Sequence, residues 1–287
     1  MHASSSFLAR LVIVSACLSA PVAVPALVRA EIKTEVVDYS QGDTKLQGFV
    51  AWDSAVSGKR PGVLVVHEWW GSNQHARNQA ERLAKAGYVG FAVDMYGKGK
   101  VATHPNDAKA FMAEATSDFS REKARFDAAL ALLKQRPEVD PTKIAAIGYC
   151  FGGGVVLDML RSGESFSLVA TFHGALGSKQ QLKPGNKTRV LVMHGAADPM
   201  ITQEQLAAFK KEMSAAHVRY EVSEYPGAKH GFTNPDADKA GMPGLAYDAK
   251  ADEASFAALL KALKEQVGVP SAAHGDSKPT TSTGSTR

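Results

Sequence analysis

Three side chains able to run nucleophilic catalysis occur along the chain in the order Cys150, Asp198, His230. A cysteine thiol is only a few per cent ionised near neutral pH, so it needs a base; a histidine oriented by a carboxylate can serve. The local sequences support those roles: Gly148-Tyr149-Cys150-Phe151-Gly152, His194-Gly195-Ala196-Ala197-Asp198-Pro199 and Gly227-Ala228-Lys229-His230-Gly231-Phe232. The first is the most telling. A nucleophile at the tip of a sharp strand-to-helix turn requires small residues two positions to either side, because the backbone crosses itself there. A cysteine buried only for packing would need neither glycine. Taken singly, Asp198 before proline is an ordinary turn former and His230 an ordinary structural histidine. Together, in the order nucleophile, acid, base, they make a candidate catalytic triad.

Such residues must be carried on strand ends. Ile144–Ile147 is an apolar run that enters the glycine-rich turn, and Val155, Val156, Met159 and Leu160 follow at helical spacing. Val63–Val66, Tyr88–Val93, Leu168–Phe172, Arg189–Met193 and Tyr220–Tyr225 read as further strands. Glu35–Tyr39 and Lys45–Trp52 read as an antiparallel hairpin across Ser40–Thr44. Between them, Gln74–Ala86, Asn106–Thr116, Arg121–Gln135, Thr202 or Gln203 to Ala216, and Tyr247–Val267 carry helical periodicity. Pro137 and Asp140-Pro141 are expected to close the third helix before the strand of the turn begins. Strand and helix in alternation predict a mostly parallel central sheet with helices on both faces; the order nucleophile, acid, base along the chain is that of the α/β-hydrolase fold. Ligands bind beyond the carboxyl ends of such strands, where His67-Glu68-Trp69-Trp70-Gly71, Cys150, Asp198 and His230 would meet.

The 287 residues, 45% hydrophobic and 22% charged, suffice for one sizeable core. A single domain is expected over residues 31–267. Residues 1–30 read as a cleavable secretory signal, with an apolar stretch Leu11–Ala20 and Val28-Arg29-Ala30 at the cleavage position. Pro21, Pro25 and Arg29 interrupt a run already short of the roughly 20 residues a bilayer needs, so no stable membrane insertion is expected. Residues 268–287, rich in Ser, Thr, Gly, Pro and Lys, are expected to be a disordered tail. Loss of Arg10 and Arg29 with the signal lowers the formal charge from +4 to +2, which gives no case for nucleic-acid binding. Of the two cysteines Cys17 would leave with the signal, so a periplasmic or secreted product would hold Cys150 as a lone thiol.

The segments His67-Glu68-Trp69-Trp70-Gly71, Gly148-Tyr149-Cys150-Phe151-Gly152-Gly153, His194-Gly195-Ala196-Ala197-Asp198 and His230-Gly231-Phe232 resemble the dienelactone hydrolase family of α/β hydrolases. The likeness covers most of residues 35–267. The resemblance implies that Cys150 is the nucleophile, that Asp198 and His230 complete the triad, and that Glu68 assists thiolate formation when substrate binds. It also implies an oxyanion hole from the backbone N–H groups of Trp69 and Phe151, the positions at which such amides face a developing oxyanion. His67-Glu68 begins like a zinc motif, but Gly71 stands where its second histidine would be. No metal and no cofactor are expected.

Family members that cleave dienelactone hold its carboxylate with two arginines; the equivalent positions here are Lys98 and Asn234. Lysine keeps the charge without the bidentate fork, and asparagine loses the charge. Trp70, Tyr96 and Phe232 are expected, with Trp69 and Phe151, to wall the substrate pocket aromatically. The expected activity is hydrolysis of a small ester or lactone by a monomer, through an acyl-cysteine. The alternatives are a binding protein on a hydrolase scaffold, acylated slowly or not at all, and, with less support, a thiol-redox protein.

Overall fold

The structure is a computed structural model that describes residues 31–268. The expected signal and all but the first residue of the expected tail lie outside the described residues. Eight strands form one sheet: β1 Ile32–Gln41, β2 Thr44–Asp53, β3 Arg60–Val66, β4 Val89–Val93, β5 Val139–Tyr149, β6 Leu168–Phe172, β7 Arg189–Gly195 and β8 Tyr220–Tyr225. Their order is β1-β2-β4-β3-β5-β6-β7-β8, antiparallel at β1/β2 and β2/β4 and parallel from β4 to β8.

The helices are α1 Gln74–Lys85, α2 Pro105–Ala115, α3 Phe119–Gln135, α4 Phe151–Ser162, α5 Gln203–Ala215 and α6 Ala249–Val267. Strand alternation decides which face each helix covers. Val63, Val65, Ala145 and Ile147 pack with Leu83 of α1 and with Leu259 and Leu263 of α6. Leu64, Val66, Ile144 and Ala146 point the other way, against Phe126 of α3, Val156 of α4 and Phe209 of α5. Both faces of the central strands are therefore dry, which is why they read as unbroken apolar runs. Each valine, leucine, isoleucine and phenylalanine among them contributes roughly 1.5–3 kcal/mol by its burial.

Two expectations shift. The hairpin turn is shorter than Ser40–Thr44: Gln41 pairs with Thr44, leaving Gly42 and Asp43 to turn, with Gly42 at φ 53°. Asp140-Pro141 does not stand outside the sheet. β5 already pairs with β3 at Val139, and the register jumps between Pro61 and Gly62, so the proline sits in a bulge where no ladder donor is needed. The consequence for function is the strand order. β3 leads through α1 to β4 on one side and is flanked by β5 on the other, so the chain reverses direction across the sheet between them. The loop after β3 and the turn after β5 open side by side at this switch point.

Candidate active site

Cys150 caps α4 with φ 50° and ψ −114°, a backbone conformation that L residues rarely adopt. The strain is held by backbone hydrogen bonds: the Cys150 N–H donates to the Phe172 carbonyl at 3.0 Å, and the Gly152 N–H donates to the His67 carbonyl at 3.1 Å. A Cβ on Gly148 would overlap the Gly152 carbonyl, and a Cβ on Gly152 would overlap the Val66 carbonyl. The two glycines thus permit the crossing that their spacing in the sequence predicted. Among the described residues Cys150 is a free, partly exposed cysteine.

Asp198 and His230 meet as the chain order requires. His230 Nδ1 lies 2.8 Å from Asp198 Oδ2, while Asp198 Oδ1 accepts the Met200 N–H at 2.8 Å, so one carboxylate serves both the turn and the imidazole. The other ring nitrogen, Nε2, is buried and unclaimed by any hydrogen bond among the described residues. Burial opposes a charge on the ring, but the Cys150 sulfur beside it and the Asp198 carboxylate outweigh that and raise the His230 pKa to about 10. His173 packs edge-on against His230 at 5.1 Å between centroids; burial, then the nearby His230 and His75, keep it neutral, with a pKa well below the usual value.

The two amides expected to face an oxyanion are oriented through their own peptide carbonyls. The peptide preceding Trp69 carries the Glu68 carbonyl, which accepts the Gly71 N–H at 3.2 Å and lies 2.5 Å from His67 Nδ1. Because the peptide is trans, the Trp69 N–H points the opposite way, and no acceptor takes it among the described residues. The peptide preceding Phe151 carries the Cys150 carbonyl, which accepts the Gly153 N–H at 3.0 Å; Phe151 opens α4, where an N–H has no partner one turn back. His67, weighed in the sequence only as the start of a zinc motif, has a supporting place here. Its Nε2 accepts the Met95 N–H at 3.3 Å, so Nδ1 carries the proton given to the Glu68 carbonyl, and burial lowers its pKa to keep this neutral form. Its position immediately before Glu68 was the available signal.

A cavity of about 340 Å³ opens in front of Cys150, lined by Trp69, Met112, Cys150, Phe151, Ala175, Met200, Ile201, His230, Met242 and Leu245. Several residues expected in its wall stand elsewhere. Lys98 pairs with Asp38 at 2.5 Å, half exposed, and lines a different cleft beside β1. Asn234 is buried and donates to Glu68 Oε2 at 2.6 Å. Tyr96 lies behind the loop, packed on His67 and Phe151 and donating to the Trp69 carbonyl at 3.1 Å. Trp70 packs on the outer side of Trp69, 4.8 Å between centroids. Phe232 is fully buried against His173 and Tyr225. The reason is common to all: neighbours of a motif brace its loop from behind and need not face what the motif binds. Glu68 is also set back, 3.7 Å from His75 Nδ1 and bonded to Asn234, with no hydrogen bond to Cys150.

The real walls, Met112 of α2 and Met200, Ile201, Met242 and Leu245 of loops, have no motif to announce them. Met242 and Leu245 are carried in by backbone pairing, for the Ala246 N–H donates to the His230 carbonyl at 3.1 Å and seats the 242–245 segment over the site. Among the described residues no group of three or more His, Cys, Asp or Glu is placed to hold a metal, and no helix is long and apolar enough to cross a membrane.

A mostly parallel eight-stranded sheet with a strained residue on the turn between β5 and α4 defines an α/β hydrolase. The chain belongs to the dienelactone hydrolase family, whose model matches residues 46–267. A dienelactone hydrolase-like promiscuous phosphotriesterase from metagenomic libraries is 37% identical, with a TM-score of 0.77 over 84% of this chain and 100% of its own. The protein usf of Aquifex pyrophilus is 28% identical over 225 residues, 75% of this chain and 94% of that one. A Synechocystis protein provisionally named a carboxymethylenebutenolidase is 28% identical over 222 residues, 70% of this chain and 87% of its own. The protein is accordingly an enzyme, a hydrolase of the dienelactone hydrolase type.

Proposed function

We propose that this hydrolase cleaves small, largely apolar esters or lactones through an acyl-enzyme on Cys150. The observation that carries the reading is the pairing of a strained Cys150 with a buried, unclaimed His230 Nε2 whose Nδ1 is held by Asp198. With the thiol proton held on His230, the sulfur attacks the carbonyl carbon to form a C–S bond. The carbonyl π electrons move to oxygen, where the Trp69 and Phe151 N–H groups receive the charge. As the intermediate collapses, the C–O bond to the leaving group breaks and the imidazolium returns its proton to that oxygen. Water, deprotonated by His230, then attacks the thioester carbon; the C–S bond breaks, the imidazolium returns its proton to the sulfur, and the acid is released.

In this reading Glu68 assists thiolate formation once substrate has drawn it from Asn234, and no metal or cofactor takes part. The apolar cavity and the outward placement of Lys98 leave a dienelactone carboxylate without a cationic partner, so an anionic substrate is disfavoured. The protein works as a monomer, after export, with residues 1–30 removed.

The test is turnover of short p-nitrophenyl esters and of a dienelactone by residues 31–287, beside Cys150→Ala. Loss of turnover in the variant is expected, with the neutral esters the better substrates; full activity in Cys150→Ala would remove the mechanism. Because a relative is named a promiscuous phosphotriesterase, a p-nitrophenyl phosphotriester belongs in the same assay; the same cysteine is expected to attack it and to release p-nitrophenol more slowly than from the esters.

A further inference from the structure

We infer that a second cavity, about 480 Å³ and adjoining the Cys150 cavity, is an acidic subsite in which Glu122 and Asp158 receive an ammonium-bearing end of the substrate. The inference rests on the ester hydrolase reading for its chemistry, but on other residues for its binding. The two cavities share Met112, Phe151 and Ala175 as walls, so a substrate whose carbonyl lies at Cys150 can extend from one into the other.

Glu122 comes from α3 and Asp158 from α4, which faces it. Glu122 is only 5% exposed, yet its carboxylate has no hydrogen bond or ion pair among the described residues, although it lines the cavity. Its oxygens open onto the cavity rather than being sealed in the core, so a group bound there can partner them. Asp158 is better supplied, with Arg161 Nη1 at 3.2 Å, and Arg161 is itself shared with Glu212. The other charged groups of the wall are Asp118, exposed and capping α3 by accepting the Ser120 N–H at 3.1 Å, and the exposed Lys179. Burial, then repulsion from Asp158, raise Glu122 to about 7, and burial raises Asp158 as well. An arriving cation would release the Glu122 proton and gain a buried ion pair, whereas an anion would meet repulsion. Met112, Phe119, Phe151 and Val155 supply the apolar and aromatic faces that suit a quaternary ammonium group.

Paired acetate esters test this directly: ω-trimethylammonio alcohols of two, four and six carbons against the isosteric tert-butyl alcohols. At the best length the wild-type kcat/KM is expected to favour the cation by about tenfold or more. Glu122→Gln should bring that ratio near unity, and Lys179→Gln should raise it. Calorimetry with the cationic alcohols and Cys150→Ala reads the subsite without turnover; binding should be lost in the Cys150→Ala, Glu122→Gln double variant. A ratio at or below one at every length, or a preference that survives Glu122→Gln, overturns the inference. If no ester is cleaved but the cation still binds through Glu122, the hydrolase reading fails and the subsite stands. If esters are cleaved without a preference for the cation, the subsite alone falls.

Discussion

Behind Cys150 the groups proposed to act in catalysis are held by polar partners, whereas the cavity in front of it is lined almost entirely by apolar side chains. Asp198 holds His230, Asn234 holds Glu68, and His67 holds the Glu68 carbonyl, which aims the Trp69 amide. The front wall is Met112, Met200, Ile201, Met242 and Leu245, from a helix and loops. The difference follows from what each side must do. Charge moving between atoms demands donors fixed in place beforehand, while a wall that excludes water and accepts an acyl group demands only shape and dryness. One side is therefore intolerant of substitution and the other adaptable.

The largest expected effects lie behind. Cys150→Ala and His230→Ala should lower kcat by on the order of 10⁴-fold or more. Asp198→Asn, which leaves the imidazole without its anionic partner, should cost on the order of 10²–10⁴-fold. Stopped-flow assays with matched esters check these losses; residual turnover within tenfold of wild type in any of them would break the contrast. In the wall, Leu245→Ala or Met242→Ala should raise KM several-fold with kcat within about threefold, since such contacts serve ground state and transition state alike. The smallest effect expected is that of Lys98→Ala, with dienelactone kinetics unchanged within error, because its exposed pair with Asp38 lies beside another cleft.

The same asymmetry governs how much could be read from the chain. Motifs announced the back of the site: the elbow glycines, Asp198 and His230 occupy the strand ends on which their spacing put them. The central strands were legible because both of their faces are buried. Asp140-Pro141 misled because proline reads as an ending, yet a bulge lets it sit inside β5. Lys98, Asn234, Tyr96, Trp70 and Phe232 misled for another reason. Nearness in sequence to a catalytic residue places a side chain on the same loop but does not say which side of the loop it faces. The walls were illegible, for Met242 and Leu245 reach the site only through pairing of their segment with His230.

Acidity offers a further way to sharpen the contrast. His230 has its pKa raised to about 10, so the stability it contributes is complete below about pH 6.5 and is lost as pH rises through 10. His67, His173 and His194 have theirs lowered, chiefly by burial, so below about pH 6.5 the unfolded chain binds protons that the folded one refuses. Urea unfolding should thus show stability falling on both sides of neutrality. His230→Gln should remove only the alkaline loss, and His173→Gln should reduce only the acid loss.

The central claim is that carbonyl chemistry passes through the Cys150 sulfur. Rapid acid quench of the protein with p-nitrophenyl acetate, followed by intact mass and peptide mapping, measures this directly. One acetyl group per chain, formed in the burst and located on Cys150, is the result predicted. An acetyl group on another residue, or steady turnover in Cys150→Ala at the wild-type rate, would contradict it.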